Sequence, residues 1–320
     1  MRAVVTGGAG FIGSHIVDAL SRNSTELLVV DDFSTGTEAN LAGAAKRAEV
    51  LEIVRTDICS NEAAQAIAEF KPDVVFHTAA QINVRRSVAE PVYDSEKNIS
   101  GTVNVLAAAL DGGARSVVFS STGGAIYGEQ DVFPAPEDHP ARAESPYGVS
   151  KRAAELYLEY FARAYSMTTV SLRYSNVYGP RQNPKGEAGV VAIFTNRLIA
   201  GEPFKVNGDG EQTRDFVFVG DVVQANLLAA TKIDQPGFSV YNVGTGVETS
   251  VNEVVLGFRD VWSAIRGDAA GDAIEVVNGP ELPGEQRRSV IDAGKIASKL
   301  GWKVSVDLRA GLEETVRSFL

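Results

Sequence analysis

A chain of 320 residues, 44% hydrophobic and 22% charged, is long enough for a sizeable core and for about two domains, or one large domain with an added lobe. Thirty basic against 41 acidic residues leave a net charge of −11, which argues against nucleic acid or an anionic membrane as partner, so any phosphate site must be built locally from helix N-termini and a few arginines. No apolar run is long enough to span a membrane, Met1-Arg2 leads into the first strand without a secretory h-region, and the single cysteine, Cys59, has no internal partner; a cytoplasmic location is expected, with Cys59 a small buried residue.

Ala3 to Val5 is a short apolar run. Thr6-Gly7-Gly8-Ala9-Gly10-Phe11-Ile12-Gly13 follows it and opens a stretch with helical apolar spacing at Phe11, Ile12, Ile16, Val17 and Leu20. Strand, glycine-rich turn and helix N-terminus together predict a phosphate cradle: glycine allows positive φ, its missing side chain lets a pyrophosphate reach the backbone, and Gly13 lets helix and strand pack closely. The next run, Leu27 to Val30, ends in Asp31-Asp32, near the ~20-residue separation expected for the acid that holds an adenosine ribose. A carboxylate at Asp31 accepts from both ribose hydroxyls and repels a 2′-phosphate, and Phe33, Ser34 and Thr35 supply no arginine to offset it. NAD is therefore expected, not NADP.

Further β-branched runs at Leu51 to Val54, Val74 to Phe76, Val117 to Phe119 and Thr169 to Leu172 alternate with helical patterns over Asn61 to Phe70, Val92 to Leu110 and Pro146 to Tyr165. Such alternation predicts an α/β fold, a Rossmann-type doubly wound parallel sheet with right-handed crossovers and ligands beyond the carboxyl ends of the strands. After Arg173 the rhythm shortens and turns multiply. Val219-Gly-Asp221 reads as the cap of a helix running to Thr231, and Phe238 to Val243 as a strand that returns to the sheet. The expected division is an NAD-binding domain over 1–173, with 215–243 returning to it, and a smaller discontinuous substrate lobe over 174–214 and 244–320. His15, His77 and His139 lack metal-ligand spacing, so no metal is expected.

Two loops at strand ends carry chemistry. Ser120-Ser121-Thr122 closes the fifth strand, and Tyr147 and Lys151, four residues apart after Pro146, share a helical face. The ammonium and a bound nicotinamide cation can both stabilise a phenolate whose pKa is about 10 unperturbed, while Thr122 hydrogen-bonds the same substrate oxygen. The result is a base for an alcohol losing hydride to NAD. Tyr93 and Lys97 repeat the spacing without a hydroxyl cluster, at the start of a helix expected to pack on the sheet face.

At these residues the sequence resembles the extended short-chain dehydrogenase/reductase family, and within it the UDP-glucose (UDP-galactose) 4-epimerases and UDP-N-acetylglucosamine 4-epimerases. The resemblance rests on Thr6 to His15, Asp31 to Gly36, Asp57-Ile58, His77 to Gln81, Asn98 to Gly101, Ser120 to Gly128, Tyr147 to Lys151, Arg173 to Arg181 and Gln212 to Phe216. It implies that Phe11, Ile12, Asp31, Ser34, Gly36, Asp57, Ile58, Thr78, Ala79, Ala80, Gln81, Asn98, Ser120, Tyr147, Lys151 and Ser175 line NAD. Asn176, Val191, Lys205, Asn207, Arg214 and Glu285 would face a UDP-sugar. It further implies a homodimer formed through Val92 to Leu110 and Pro146 to Tyr165.

One departure concerns the diphosphate: where these epimerases usually carry an arginine, this chain has Leu282, and Arg287 or Arg288 would have to reach the same oxygens. Ser289 is small where strictly galactose-specific relatives are bulky, which leaves room for a 2-acetamido group. The related 4,6-dehydratases place an Asp-Glu pair after the threonine, and here Gly123-Gly124 stand in those slots. C4 epimerisation through a 4-keto sugar, with Tyr147 taking the 4-hydroxyl proton, is thus the expected reaction. A net sugar-nucleotide dehydrogenase, or the same enzyme type on another nucleotide, is the alternative; a non-catalytic NAD-binding regulator is the reading from another class.

Overall fold

The computed structural model describes every residue except Ser24, 185–188 and 282–285. Six strands, β1 (Arg2–Thr6), β2 (Glu26–Asp31), β3 (Leu51–Arg55), β4 (Val74–His77), β5 (Ser116–Thr122) and β6 (Thr168–Tyr174), join the strand Gly237–Val243 in a seven-stranded sheet. All pairings are parallel, in the order Gly237–Val243, β6, β5, β4, β1, β2, β3. The chain winds outward from β1 toward β3 and then outward from β4 in the other direction. That reversal opens a crevice at the carboxyl ends of β1 and β4.

The β-branched runs are continuous because both faces of the sheet are covered. Ala3, Val5, Leu27 and Val29 pack with Ile16, Val17 and Leu20 of the helix Phe11–Leu20 and with Val222, Ala225 and Ala229 of the helix Val219–Lys232. Val4, Leu28 and Val30 point the other way, onto Ile67, Phe70, Leu106, Leu158 and Phe161. Each such side chain contributes about 1.5–3 kcal/mol on full burial. A third apolar cluster lies beyond β6, where the stacked pair Phe194 and Phe204, with ring centroids 4.3 Å apart, meets Phe258 of the helix Val251–Arg266. Ser250 and Glu253 form a capping box at the start of that helix.

Three expectations about local structure are corrected. The pattern from Val92 to Leu110 is not one helix: a helix Pro91–Ser95 passes through a π-turn, Glu96–Ser100, into the helix Gly101–Asp111. Gly101 lies so close to Ile58 that a Cβ there would meet Ile58 Cδ1 at 2.7 Å. Asp221 is not a helix cap; its buried carboxylate accepts the Ser305 and Val306 N–H groups and anchors the segment after Trp302. Cys59 is exposed, its thiol donating to the Glu96 carbonyl at 3.3 Å, and partial burial and the Asp57 charge push that thiol up to about 11. Among the described residues no helix is long and apolar enough to cross a membrane.

Candidate active site

A cavity of about 480 Å³ opens at the carboxyl ends of β1, β2 and β4. Its floor is the glycine-rich turn: Gly7, Gly10, Phe11, Ile12 and Gly13 line it. Gly7 has φ +67°, and a Cβ on Gly13 would sit 2.2 Å from the Gly7 carbonyl oxygen and 2.7 Å from Thr78 Oγ1. Neither position tolerates a side chain. The first turn of the helix Phe11–Leu20 has no side-chain cap, so its N–H groups and its dipole face the cavity, as a pyrophosphate requires. Arg181, on a backbone with φ +68°, lines the same wall, donates to Ser14 Oγ at 3.1 Å and pairs with Asp18. It sets a fixed cation beside the turn, and sequence spacing could not find it because it arrives from the loop after Tyr178.

Asp31, Asp32, Ser34 and Thr35 line one end with Asp57 and Ile58. Asp31 is 6% exposed and accepts from the Ala9 N–H at 2.8 Å and the Phe33 N–H at 2.7 Å. Burial pushes its carboxyl above the ordinary range, and those donors oppose the shift. Phe33 and Gly36 are not brought to the wall. The Phe33 ring instead lies 4.9 Å from the guanidinium of Arg55, an arginine supplied by the neighbouring strand and absent from the loop itself. Gly36 packs on Ala9, where a Cβ would lie 2.6 Å from the carbonyl carbon.

Thr78, Ala79, Ala80 and Gln81 continue the wall toward the other end, where Ser120, Tyr147 and Lys151 stand together. Ser145 caps the helix Pro146–Tyr165, placing Tyr147 in its first turn and Lys151 one turn on. Lys151 Nζ donates to the Ser120 carbonyl at 2.9 Å and lies 6.0 Å from the Tyr147 ring centroid. Burial pulls the ammonium down to about 8 against the charges of Asp94 and Glu155. Burial and Asp94 hold the Tyr147 phenol well above its ordinary range. A nicotinamide cation, with NAD bound, would add a positive charge that favours the phenolate. His77, fully buried between Thr6 and Thr102 and pulled down to about 3, stays neutral.

Several expected neighbours stand elsewhere. Thr122 caps the short helix Gly123–Tyr127 by accepting the Ala125 N–H at 3.3 Å and does not line the cavity. Ser121 reaches the wall, but its hydroxyl donates to the buried Glu155. Asn98 braces the fold: its side chain accepts the Gln81 N–H and donates to the Gln81 carbonyl, both at 2.9 Å. Ser175 lies off the wall, its buried hydroxyl without a partner among the described residues. Conversely Tyr93 and Lys97, expected on the sheet face, line the cavity, with Arg86 stacked 3.9 Å from the Tyr93 ring and Lys97 paired with Asp57. Tyr93 lies on the short helix Pro91–Ser95 and Lys97 in the π-turn that follows it.

Of the residues expected at a sugar nucleotide, Asn207 and Arg287 line a second cavity of about 110 Å³ with Gln212 and Gln286. Arg287 pairs with both oxygens of Asp209, at 2.8 and 2.9 Å. Arg288 pairs with Glu248 and stacks 3.8 Å from the Phe133 ring. Arg214 donates to the Thr213 carbonyl and is the strand neighbour of Ser289, which lies 3.4 Å from where a Gly124 Cβ would be. Asn176 and Lys205 are exposed, whereas Val191, 1% exposed, is packed in the third apolar cluster. Leu282 and Glu285 lie outside the described residues.

The family model described as NAD dependent epimerase/dehydratase matches residues 3–244. The chain belongs to that family. NAD is accordingly its cofactor, and the glycine-rich turn, the Asp31 carboxylate and the capless helix start are the features that suit it. Within the family, the chain is 43% identical over 319 residues to the UDP-glucose 4-epimerase of Mycolicibacterium smegmatis, covering 100% of this chain and 98% of that one. The UDP-glucose 4-epimerase of Thermotoga maritima, solved with UDP-glucose, superposes with a TM-score of 0.91 at 45% identity, covering 100% and 98% of the two chains. That of Thermus thermophilus, solved with NAD, gives 0.89 at 41%, covering 100% and 99%.

Proposed function

We propose that the protein is an NAD-dependent isomerase that inverts C4 of a UDP-hexose, UDP-galactose and UDP-glucose first. The observation that carries this reading is the placement of Tyr147 and Lys151 at the far end of the phosphate-cradle cavity, next to a strand end that offers Gly123 and Gly124 in place of an acid-base pair. Elimination of water from the sugar needs proton carriers there; epimerisation does not. In this mechanism Tyr147 takes the proton of the 4-hydroxyl and later returns it, and Lys151, fixed by the Ser120 carbonyl, stabilises the phenolate between the two events. Bound NAD supplies the hydride acceptor and donor. Thr122, its oxygen engaged by the Ala125 N–H, can still donate its own hydrogen to the sugar oxygen. The 4-keto sugar must present its other face before the hydride returns. The test is to incubate the purified protein, with no added NAD, with UDP-galactose and UDP-N-acetylglucosamine in separate tubes and follow each C4 epimer by proton NMR. Conversion of neither, even after NAD is added, overturns the reading.

Residues 174–214 and 244–320 are read as the substrate lobe, with 215–243 belonging to the NAD-binding part. Arg287, which lines the second cavity with Asn207 and Gln212, is our choice for the diphosphate cation in the absence of an arginine at 282. Its pair with Asp209 is exposed on both sides and costs little to exchange for a phosphate. Ser289 and Gly124 are both small and lie side by side, which we read as room for a 2-acetamido group, so UDP-N-acetylhexosamines are read as further substrates. Ser289→Tyr should then retain UDP-galactose turnover while reducing kcat/KM for UDP-N-acetylglucosamine by at least about tenfold. Equal loss on both sugars would remove Ser289 from the specificity wall.

A homodimer is supported by the apolar residues left exposed on neighbouring helices, Val149, Leu156, Tyr157 and Tyr160 on one side and Val88 and Val92 on the other. Sedimentation should give a dimer at micromolar concentration, and Leu156→Glu with Tyr160→Glu a monomer. A wild-type monomer would sink this assignment. A cytoplasmic enzyme of galactose metabolism is our reading of its place in the cell, and cell fractionation can check the location.

A further inference from the structure

Asp94 is fully buried, and the mechanism above makes no use of it. It lies on the helix Pro91–Ser95, which packs against the helix that carries Tyr147 and Lys151. Its Oδ1 accepts from Gln81 Nε2 at 2.8 Å and Asn98 Nδ2 at 3.0 Å; its Oδ2 is buried and has no hydrogen-bond partner among the described residues. No ion pair reaches it among those residues either. A buried carboxylate without a counter-ion is costly, and two amide donors on one oxygen offset only part of that cost.

The positive charge that answers it lies across the helix contact. We propose that Asp94 is an electrostatic positioning residue for Tyr147 and Lys151: a fixed negative charge, held by Gln81 and Asn98, that balances the positive charge the site gathers when a nicotinamide cation joins the Lys151 ammonium. The inference rests on the epimerase reading only for its kinetic test. Asp94 acts on both groups in the same sense, raising the phenol and the ammonium together. The other charges around them are accounted for. Glu155, on the same helix as Lys151, is paired with Arg173 and Arg152; His77, on β4, is neutral; Lys97 is paired with Asp57; and Arg86 sits on the Tyr93 ring at the cavity wall.

Asp94→Asn keeps the planar shape and the oxygen that accepts from Gln81 and Asn98, and it removes the charge. Without that charge both groups lose their protons at lower pH. In the NAD-loaded enzyme, the acid limb of kcat/KM, where Tyr147 must be deprotonated, and the alkaline limb, where Lys151 must keep its proton, should both slide to lower pH by on the order of one unit. Asp94→Glu keeps the charge and should leave the limbs in place, whatever happens to the plateau. A plateau that falls in Asp94→Asn with both limbs unmoved means a structural role and overturns the proposal.

The second readout needs no turnover. The ultraviolet phenolate titration of the NAD-loaded protein, minus that of Tyr147→Phe, should show the Tyr147 step at lower pH in Asp94→Asn, and an unmoved step overturns the proposal. Should no UDP-hexose be converted, the epimerase reading fails while this titration still decides the role of Asp94. Asp94→Ser repeats the comparison if the asparagine variant does not fold.

Discussion

Tyr147→Phe should lower kcat by about 10²–10⁴-fold while NAD remains bound. The substitution removes one oxygen and keeps the ring, so the helix start capped by Ser145 and the Lys151 contact to Ser120 should persist. What is lost is the group that takes the proton as hydride leaves. Without it an alkoxide must form unaided, or water must serve in a wall that burial has made poor for charge. Lys151 cannot substitute: an ammonium already donating to a carbonyl has no lone pair to offer until it is deprotonated. In the wild type the base works only when ionised, and burial and Asp94 hold its phenol high. Activity should therefore fall as pH drops through the holoenzyme's Tyr147 step, and Tyr147→Phe should lose that acid limb along with its rate. Single-turnover absorbance of the reduced cofactor with UDP-galactose, compared with the amount of dinucleotide that copurifies, separates chemistry from binding. A variant within tenfold of wild type would remove Tyr147 from its role as base.

The parts of this molecule that were legible in the sequence are those whose physics is local. Gly7 and Gly13 of the turn must be glycine because backbone and Thr78 occupy the space of any Cβ, and Asp31 follows the turn at the separation a ribose requires. The parallel, doubly wound sheet could be anticipated because runs buried on both faces leave unbroken apolar segments. Cues that depend on neighbours distant in sequence misled. The spacing from Val92 to Leu110 is helical throughout, yet the Asn98 clamp on Gln81 and the tight contact of Gly101 with Ile58 accompany a π-turn, and Tyr93 and Lys97 line the cavity. Arg181 reaches the cavity wall from a loop of positive φ, and although it closes the run Arg173 to Arg181, nothing in that spacing says that it faces the turn. Asp94 gave no signal at all, because its meaning lies in what stands opposite it.

Arg173→Met should destabilise the fold by about 3–5 kcal/mol, because it strands a buried carboxylate. Glu155 has no exposed side-chain surface; Arg173 meets it with two bonds, Nε to Oε1 at 2.9 Å and Nη2 to Oε2 at 2.7 Å. The hydroxyls of Ser121 and Ser171 donate to the same Oε1, and Arg152, partly exposed, donates to Oε2. Arg173 also donates to the Tyr127 hydroxyl and the Glu137 carbonyl, so its loss leaves acceptors unpaired on both sides. At a few degrees per kcal/mol for a protein of this size, Tm should fall by roughly 10 °C. Replacing both partners, Arg173→Met with Glu155→Met, should cost less than the single change, since no charge is then left buried. Burial alone would raise the Glu155 carboxyl; the bonds and charge of Arg173, with help from Ser171 and Arg152, bring it below the ordinary range. A carboxyl held lower in the folded state stabilises above its unfolded value of about 4.3, and that contribution is lost as pH falls through the folded value. In Arg173→Met the carboxyl can instead take up a proton, so the Tm gap between wild type and variant should narrow as the solution is acidified. Scanning calorimetry at neutral and acid pH measures both effects. A gap that is small at neutral pH, or a double variant as unstable as the single one, would mean that Arg152 and the serines already satisfy Glu155, and that Arg173 is not what holds the helix of Tyr147 and Lys151 against the sheet.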